Sequence, residues 1–474
     1  GYIRTIILID RLRSDSLGKL TPAELKRRYG REYKALLRLG VPVLITQVGI
    51  MAVNFADTIM VGAYGTDELA SEAFVNSLFV PVIVMLIGFA SGIIPIVGAL
   101  FGRGDSHGAG LTLKAGLQVN LAVSFVFTAI MGGLYFFLDR FGQPEDLLPL
   151  IRPYYLIVLG TVIPAAVFNC FQQASNAFND TRMPMWIILS CNVLNIFGNW
   201  MLIYGHLGMS EMGLVGAGIS TLVSRALATI AIAVLFLTLK RFRSYRRFML
   251  SNERVGHIRT NVWRVSYPVM IQNGIECALW TLGAIVSGWF GKIQLASYQV
   301  VNTMAQLGFM TFIGFGVAAS VRVSNAMGVR DYRQVRISAT ATLHLNLVLG
   351  TLACLVFALF GRSIISIFTP NPDVVAMAVT LIVPLLLYQY GDAVQLTYAN
   401  ALRGTGDVQP LLWTSVIAYV IVGMPVLLLL ACVFDLGCVG VYYSFSAALF
   451  TASVLLILFF HRAVRRAESG IVRS

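Results

Sequence analysis

Apolar runs long enough to cross a lipid bilayer recur along almost the whole chain of 474 residues, and short polar connections separate them. About 18 or more consecutive apolar residues are typical of a membrane-spanning helix, because about 20 helical residues cross the hydrocarbon core. The runs predict twelve spanning helices, at residues 40–63, 74–101, 114–137, 149–173, 184–205, 213–239, 264–290, 296–321, 337–360, 374–400, 410–432 and 437–460. The connections leave no room for a soluble domain.

The composition agrees with this pattern. The chain is 57% hydrophobic and 12% charged, whereas soluble proteins are roughly 25% charged. The predicted fold class is therefore all-α integral membrane. The six cysteines lie in or beside the spans without metal-ligand spacing, which indicates small apolar packing residues. Cys432 and Cys438 flank one turn, so a disulfide between them is the alternative.

The distribution of basic residues predicts the orientation. A net charge of +13 would suggest a nucleic-acid partner in a soluble protein, but here it reflects a bias across the membrane. With the N-terminus in the cytoplasm, 30 of the 35 Lys and Arg residues are cytoplasmic, four are outside, and Arg225 lies within a span. The positive-inside rule therefore predicts that both termini are cytoplasmic. We expect no nucleic-acid partner.

An internal repeat organises the chain. Shifted by 226 residues, the sequence aligns with itself, and glycines and prolines are prominent among the matches. The matched pairs include Pro42 and Pro268, Gly62 and Gly288, Gly65 and Gly291, and Asp105 and Asp331. Six spans in each copy mean that both copies enter the bilayer in the same direction, so the repeats are parallel and are predicted to enclose a central cavity.

The repeat sets the predicted domain boundaries. Residues 36–239 form an N-lobe of six spans and residues 265–460 form a C-lobe of six spans. A basic cytoplasmic linker at 240–264 joins them, and a cytoplasmic tail occupies 461–474. The basic segment 1–35 is expected to lie along the inner membrane face, with a possible helix start at residues 20–24.

Three of the 22 acidic residues, Asp57, Glu276 and Asp392, lie deep inside apolar runs, and we expect the others in termini or connections. A carboxylate within the bilayer costs a few kcal/mol or more, so a retained one usually handles ions, protons or charged ligands. These acids align with Gly283, Ile50 and Ala166 in the opposite copy of the repeat. They are therefore not structural constants of the repeat.

The second-half acids suggest one cation site. Tyr388 and Asp392 are four residues apart, so they share one helix face. Together with Glu276 they would offer the oxygen ligands that a small cation such as Na⁺ prefers, and two adjacent carboxylates can hold either a proton or a metal ion. The alternative for each acid is a protonated carboxyl hydrogen-bonded to the backbone.

The first half offers a simpler set around Asp57. Asn195 and Asn199 are four residues apart and present their amides from one helix face. They either complete a site with Asp57 or only hold helices together. Two other polar residues are weaker candidates. Arg225 either snorkels, pairs with an acid or lines the inner cavity, and His344 either relays protons or packs through a hydrogen bond.

Several motifs resemble a known transporter family. They are Phe-Ala-Asp-Thr-Ile-Met-Val-Gly at 55–62, Asn-Ile-Phe-Gly-Asn-Trp at 195–200, Tyr-Gln-Tyr-Gly-Asp-Ala-Val-Gln at 388–395, and Ala-Leu-Arg-Gly at 401–404. With Glu276, they make the chain resemble the multidrug and toxic compound extrusion (MATE) family, most closely its bacterial NorM-like branch. One departure is Asn179-Asp180, which replaces a Gly-Asp turn.

The resemblance implies two six-helix lobes around a central cavity, and export of amphipathic, often cationic compounds in exchange for Na⁺ or H⁺. It also implies a C-lobe cation site at Glu276, Asp392 and Tyr388, with the two acids as the Na⁺ ligands. It implies an N-lobe site at Asp57, Asn195 and Asn199. We expect a monomer in the bacterial cytoplasmic membrane, with small-molecule drugs and membrane lipid as its partners and no bound cofactor.

Other functional classes fit less well. The chain contains no Gly-x-x-x-x-Gly-Lys-Ser/Thr phosphate loop, so we expect no ATP. Its five histidines are scattered, and we expect no enzymatic activity. The short connections offer no pore loop for a channel. The main alternative is a flippase for lipid-linked saccharides, which would need a cationic cavity for its anionic substrate. A multi-spanning transferase is more distant.

Overall fold

The computed structural model describes residues 21–141 and 144–470, and these residues are almost entirely helical. The first twenty residues of the predicted N-terminal segment and the last four of the tail lie outside the described residues. The helices of the first half are α1 (Pro22–Tyr64), α2 (Thr66–Ser91), α3 (Ile93–Gly102), α4 (Ser106–Leu134), α5 (Leu148–Ala177), α6 (Arg182–Ile203) and α7 (Gly213–Thr238), followed by α8 (Arg243–Met249) in the linker.

The second half has the same plan. Its helices are α9 (Gly256–Trp289), α10 (Lys292–Gly328), α11 (Tyr332–Phe368), α12 (Pro372–Thr380), α13 (Ile382–Thr405), α14 (Gln409–Ser415), α15 (Met424–Leu428) and α16 (Gly437–Glu468). Two π-helical segments, Val416–Gly423 and Leu429–Val433, join α14 and α15 into one span and extend it. Short 3-10 helices occupy Tyr135–Phe141, Glu145–Leu147, His206–Gly208 and Lys240–Phe242.

The described residues contain eleven helical stretches that are long and apolar enough to cross a membrane, and the bent pair α12 and α13 makes a twelfth. The bend is 48° at the break around Leu381. The prediction of twelve spans in an all-α membrane protein is therefore confirmed, with the tenth span broken rather than straight.

The first helix is longer than its apolar run. Thr21 caps it, because the Thr21 hydroxyl accepts a hydrogen bond from the Glu24 N–H and the Glu24 carboxylate accepts one from the Thr21 N–H. Pro22 occupies the first helical turn, where its missing N–H has no cost. The boundary predicted at residue 35 therefore lies inside α1, because residues 22–35 continue the first helix.

The second span also begins earlier than the apolar pattern suggests. Helix α2 starts at Thr66, eight residues before the predicted start. It ends at Gly92, where α3 takes over. A side chain at Gly92 would collide with the backbone and side chain of Ser266, so glycine permits the close approach of α9 at this break.

The backbone confirms the repeat through its turns. The left-handed residues Gly104 and Arg330 lie 226 residues apart and follow equivalent helices. Each is followed by an aspartate that caps the next helix: Asp105 accepts from the Gly108 N–H at 2.8 Å and Asp331 accepts from the Gln334 N–H at 2.9 Å. Equal turns at equal spacing show that both halves use one six-helix plan.

Each half has its own hydrophobic core, which makes it a lobe. One large buried cluster lies in the second half, and two clusters lie in the first half. A smaller cluster joins the lobes. It contains Leu36 and Leu39 of α1, Ile94 of α3, and Ala318 and Val321 of α10.

The lobes meet through α1, α2 and α3 of the N-lobe and α9 and α10 of the C-lobe. Gly314 of α10 packs against Leu44 of α1, and the Asn273 amide donates to the Val84 carbonyl at 3.2 Å. Further along, the Arg103 guanidinium donates to the Gly328 carbonyl at 3.1 Å. These contacts between the lobes therefore extend from the middle of the spans to the linker end.

Candidate cation sites in the two lobes

The C-lobe site is built on helix α13. Tyr388 and Asp392 lie one turn apart on its buried face, and Asp392 is only 1% exposed. Both carboxylate oxygens of Asp392 lack a hydrogen-bond partner among the described residues. Glu276 reaches the same region from α9 and is close enough to interact electrostatically with Asp392 and Tyr388. The three residues that the sequence grouped are thus brought together.

Two further residues join this cluster that the sequence analysis missed. Gln395 lies one turn after Asp392 on α13, and Tyr419 is within electrostatic range of both acids. The Gln395 side-chain carbonyl and the Tyr419 hydroxyl are buried without a partner in the described structure. Tyr419 belongs to the π-helical segment Val416–Gly423, and such segments are frequent at functional sites. An apolar run gives no signal for a π-helix, which explains the omission.

Aromatic side chains form one wall of the C-lobe site. The Trp280 ring lies edge-to-face with Tyr388 at 5.5 Å between centroids and with Phe445 at 4.3 Å. The Tyr298 hydroxyl donates to the Trp280 carbonyl at 2.9 Å, and the Tyr298 ring packs on Tyr442. These contacts fix the Tyr388 ring, so its hydroxyl has a defined position relative to Asp392.

The C-lobe cluster is rich in acceptors and poor in donors. Four oxygens of Asp392, Gln395 and Tyr419 are orphaned, and buried polar atoms normally have partners. Oxygen atoms are the ligands of small hard cations, and a proton would also satisfy the carboxylates. Among the described residues, the basic side chain that interacts electrostatically with Glu276 is Arg403, near the end of α13. The residues present therefore fit either Na⁺ or H⁺.

The N-lobe site centres on Asp57 of α1. The Asn199 amide donates to Asp57 Oδ1 at 2.5 Å. With its amide nitrogen turned to the carboxylate, Asn195 donates to the same oxygen at 3.0 Å, while its oxygen accepts from the Thr221 hydroxyl and backbone N–H. Both asparagines are buried on α6. The structure thus brings together the three residues predicted for this lobe.

The prediction that only three acids lie within the spans is wrong. Glu72 lies inside α2, is 6% exposed and interacts electrostatically with Asp57. It escaped notice because α2 starts at Thr66, before the apolar run begins, so the residue seemed to belong to a connection. Its position three and seven residues before the buried Val75 and Phe79 was the available signal.

A second buried acid, Glu32, lies at the linker end of α1 and is 1% exposed. Its carboxylate accepts two hydrogen bonds from Arg322 at 2.9 and 2.7 Å, one from Gln334 at 2.6 Å and one from Ser338 at 2.8 Å. Since Arg322 lies on α10, and Gln334 and Ser338 on α11, this fully paired carboxylate joins α1 to the C-lobe.

The two weaker candidates fall in different places. Arg225 of α7 donates to the Thr161 hydroxyl at 2.8 Å and interacts electrostatically with Asp57. It therefore belongs to the N-lobe site, as one of the sequence alternatives proposed. His344 lies 2.7 Å from the Tyr33 hydroxyl of α1, next to the Glu32 contacts. This position favours packing through a hydrogen bond over proton relay.

The cysteines are not joined by disulfides. All six thiols are free, and Cys438 is buried against the Ser287 hydroxyl at 3.7 Å. Cys432 and Cys438 form no disulfide, and Cys170, Cys191, Cys354 and Cys438 are buried as packing residues would be, whereas Cys432 is exposed.

Comparison with known proteins identifies the family of this two-lobed chain. The MatE family model matches residues 42–201 and again residues 268–429, which together make up more than half of the chain and correspond to the two lobes. The chain belongs to the MatE family. The double match repeats the 226-residue spacing found within the sequence.

Curated relatives of this MatE chain cover nearly its full length. It is 28% identical over 435 residues to "Multidrug resistance protein NorM" of Vibrio cholerae, which covers 90% of the chain and 95% of the relative. It is 28% identical over 399 residues to the NorM protein of Photobacterium profundum, which covers 84% of the chain and 87% of that relative. The predicted resemblance to the NorM-like branch is confirmed.

Solved structures show the same fold. The eukaryotic MATE transporter AtDTX14 superposes with a TM-score of 0.83 over 94% of this chain and 100% of that structure, at 18% sequence identity. A Vibrio cholerae MATE transporter superposes with a TM-score of 0.84 over 93% of this chain and 98% of that structure, at 16% identity. The two-lobe fold of twelve spans is therefore confirmed.

The one departure from the MatE pattern is accommodated. Asn179 adopts a left-handed backbone with φ of 61°, as Gly406 does at the equivalent turn with φ of 84°. Asparagine tolerates this conformation better than most residues. Its side-chain oxygen also accepts from the Asn325 amide of the C-lobe at 3.1 Å. The turn is kept, and the substitution adds a contact between the lobes.

Proposed function

We propose that the chain is a multidrug efflux antiporter, which exports amphipathic and cationic organic compounds in exchange for Na⁺ or H⁺. Membership of the MatE family and the names of the NorM relatives support the efflux activity. The cation coupling rests on one observation. Asp392 is a buried carboxylate with two unpartnered oxygens, in the membrane interior, beside Glu276 and Tyr388. Such a group requires a cation to be neutralised.

We assign the coupling ion of the C-lobe as Na⁺. Glu276, Asp392 and Tyr388 supply its oxygen ligands, and Gln395 and Tyr419 complete the set. Na⁺ binding would neutralise one of the two acidic charges and reduce their mutual repulsion. The site then differs in charge between its loaded and empty states, and this difference is what a transporter needs to link ion binding to a change of conformation.

The lobe contacts support alternating access. The clasp of Glu32 and Arg322 and the interlobe packing close the linker end. If the linker is cytoplasmic, as the charge bias predicts, the lobes are in contact on the cytoplasmic side in this conformation, and we infer that the coupling ion enters from the outside. We place the transporter in the bacterial cytoplasmic membrane, with both termini in the cytoplasm, acting as a single chain.

A lipid-linked saccharide flippase is disfavoured by the charge of the sites. Four partly or fully buried acids, Asp57, Glu72, Glu276 and Asp392, lie in the two lobes. They would repel the phosphates of such a lipid. Proteoliposomes supplied with labelled lipid-linked saccharide test this alternative directly, and we expect no translocation.

The deciding experiment is efflux of a fluorescent cationic dye from proteoliposomes under an imposed Na⁺ gradient at uniform pH, and separately under an imposed pH gradient without Na⁺. The wild type should respond to the gradients, and Asp392→Asn should lose the Na⁺-driven component. The matched control is Asp373→Asn, because Asp373 is an exposed acid at the start of the same span. Na⁺-driven efflux at the wild-type rate in Asp392→Asn would refute the assignment of the C-lobe site.

A further inference from the structure

We propose that Glu72 is a second proton-binding carboxylate of the N-lobe, which shares one exchangeable proton with Asp57. The proposal deepens the proposed function, because it assigns a separate coupling ion to the N-lobe. It rests on that function only for its role in transport. Binding of the proton is a property of the N-lobe structure and can be measured without a drug substrate.

The two acids lie at the same depth on neighbouring helices. Helices α1 and α2 form a hairpin that turns at Gly65. Asp57 precedes the end of α1 by seven residues and Glu72 follows the start of α2 by six, so each lies roughly 10 Å from the turn at 1.5 Å per residue. The electrostatic interaction between the two carboxylates follows from this arrangement.

Glu72 points into the N-lobe and is not fully paired. It shares a helix face with Val75 and Phe79, and the Phe79 ring contacts the Tyr155 ring of α5 at 4.9 Å. The Asn76 amide donates to Glu72 Oε1 at 3.4 Å. The other oxygen, Oε2, is buried without a partner among the described residues. A buried carboxylate oxygen with no partner is costly unless it is protonated or binds a cation.

The neighbouring ionisable groups define the charge of the cluster. The groups that interact electrostatically with Glu72 are Asp57 on α1 and Tyr154 on α5, and Arg225 on α7 interacts with both of these. The elements packed against α2 also carry Tyr64 and a charged linker-end turn on α1, Arg152 and Tyr155 on α5, His107 and Lys114 on α4, His257, Arg259, Arg264, Tyr267, Glu276 and Cys277 on α9, and Glu145 and Asp146 on the 3-10 helix. Tyr154 interacts electrostatically with Glu72, Asp57 and Arg225, so it lies among them. Glu276 belongs to the C-lobe site.

One bound proton balances this cluster. Asp57 and Glu72 carry two negative charges when ionised, and Arg225 supplies one positive charge. A single added proton makes the sum zero, which is the favourable state within a membrane. Binding forms one O–H bond on either carboxyl and release breaks it, with no other bond changed. Repulsion between the acids favours sharing of one proton over full ionisation.

The donor groups around the pair favour a proton over a metal ion. Asp57 Oδ1 already accepts from the Asn199 amide, and also from the Asn195 amide in its favoured orientation. Asn76 presents its amide N–H to Glu72, and Arg225 adds a fixed positive charge. A metal ion would need several free oxygens and would be repelled by the guanidinium. A proton needs one oxygen.

Infrared spectroscopy of the purified full-length protein in lipid tests the proposal, because protonated carboxyl groups have a distinct C=O stretch. We would titrate wild type, Asp57→Asn, Glu72→Gln and the double variant in Na⁺-free buffer. A shared proton predicts that each single substitution removes one signal and moves the titration of the remaining acid. The change in the carboxyl spectrum of the double variant should therefore not equal the sum of the changes in the two single variants. Additive differences, or no carboxyl difference in Glu72→Gln, would overturn the proposal.

Two controls make the result specific. Glu68→Gln is the same substitution one turn earlier on α2, and apart from the loss of the Glu68 bands it should leave the signals of Asp57 and Glu72 unchanged. Adding Na⁺ at fixed pH should leave the Glu72 signal in place, and its disappearance would overturn the assignment to a proton. Retained Na⁺-dependent thermal stabilisation in Glu72→Gln shows that the variant is folded.

The dye efflux assay provides an independent test of the role of Glu72. In the dye efflux assay, Glu72→Gln should lose the component driven by the pH gradient and keep the component driven by Na⁺. Efflux driven by the pH gradient at the wild-type rate in Glu72→Gln would overturn the role of Glu72. A wild type that moves no dye under either gradient would instead refute the proposed function, while the infrared titration still decides whether the proton is shared.

Discussion

The two lobes share one backbone plan but surround their acids with opposite kinds of polar group. In the N-lobe, amide N–H donors face Asp57 and Glu72, and Arg225 stands among them. In the C-lobe, Asp392 has no hydrogen-bond partner in the described structure, and the nearby oxygens of Gln395 and Tyr419 are equally unpaired. Donors and a guanidinium leave few free oxygens for a metal ion and stabilise one ionised carboxylate, so they fit a pair of acids that holds one proton, whereas unpaired acceptors fit a carboxylate that binds a metal ion.

The repeat explains how this difference arises. The turns and helix caps recur at equal positions, because they fix the path of the chain. The residues that face the lobe interior do not recur. Asp57 and Glu72 align with Gly283, which packs against Phe445, and with Tyr298, which packs against Tyr442. One fold can therefore hold two different ion sites, since side chains on the interior face change without altering the backbone.

The largest expected effect is on the C-lobe site. Glu276→Gln and Asp392→Asn should each abolish Na⁺-driven efflux, and the double variant should be hardly worse than either single one, because residues that act as a unit are not additive. Na⁺-dependent thermal stabilisation, which is about 2.7 kcal/mol at 100 times the dissociation constant, should vanish in both. In the wild type it should weaken as the pH falls and protons compete for the carboxylates. If the losses multiply in the double variant, the two acids act independently and do not form one site.

The next prediction tests whether the two lobes bind different ions. Asp57→Asn should lose efflux driven by a pH gradient and retain Na⁺-dependent stabilisation. Asn199→Ala removes one hydrogen bond to a charged group, worth about 1.5 to 3 kcal/mol, so its loss should be smaller, about tenfold or more. Both are measured in the dye efflux assay at matched expression. If Asp57→Asn also abolished the Na⁺-dependent stabilisation, the division of ions between lobes would be wrong.

A smaller effect concerns the clasp that holds the lobes together. Glu32→Gln leaves the partly buried Arg322 without its counter-charge, and breaking such a pair costs roughly 3 kcal/mol or more when fully buried. We expect a lower melting temperature and a weaker closure of the linker end. The matched control is Glu468→Gln, which removes the half-exposed ion pair with Arg336 and should cost under about 1 kcal/mol. Equal melting temperatures for the two variants would show that Glu32 does not stabilise the contact between the lobes.

The last prediction leaves activity unchanged and fixes the direction of transport. In a background without native cysteines, a cysteine replacing Asp67, in the first turn of α2, should react with an impermeant reagent added outside intact cells. Cysteines replacing Ser244 or Arg333 should not react, because they lie at the linker end. A second outside site, Gly142, lies outside the described residues. The reverse labelling pattern would invert both the orientation and the direction of export.

The sequence alone determined the fold class and most of the sites. Twelve apolar runs and a 226-residue repeat are properties of the chain itself, because each span must be apolar along its length and each turn needs its own residues. Helical spacing also grouped Tyr388 with Asp392, and Asn195 with Asn199, since residues four apart share a face. The family motifs joined these pairs to Glu276 and Asp57, and the structure brings them together.

Only the tertiary structure decided which polar residues meet across helices. In the sequence Glu72 seems to belong to a connection, because only the structure shows that α2 starts at Thr66. Tyr419 lies in an apolar run, and only the structure shows that it is buried within electrostatic range of Asp392. In the sequence Glu32 is one acidic residue in a basic segment, and only the structure shows that it pairs with Arg322 of the other lobe. Apolar periodicity records the average environment of a helix, whereas a polar partner on another helix, such as Arg322, which lies 290 residues after Glu32, leaves no trace in the local pattern.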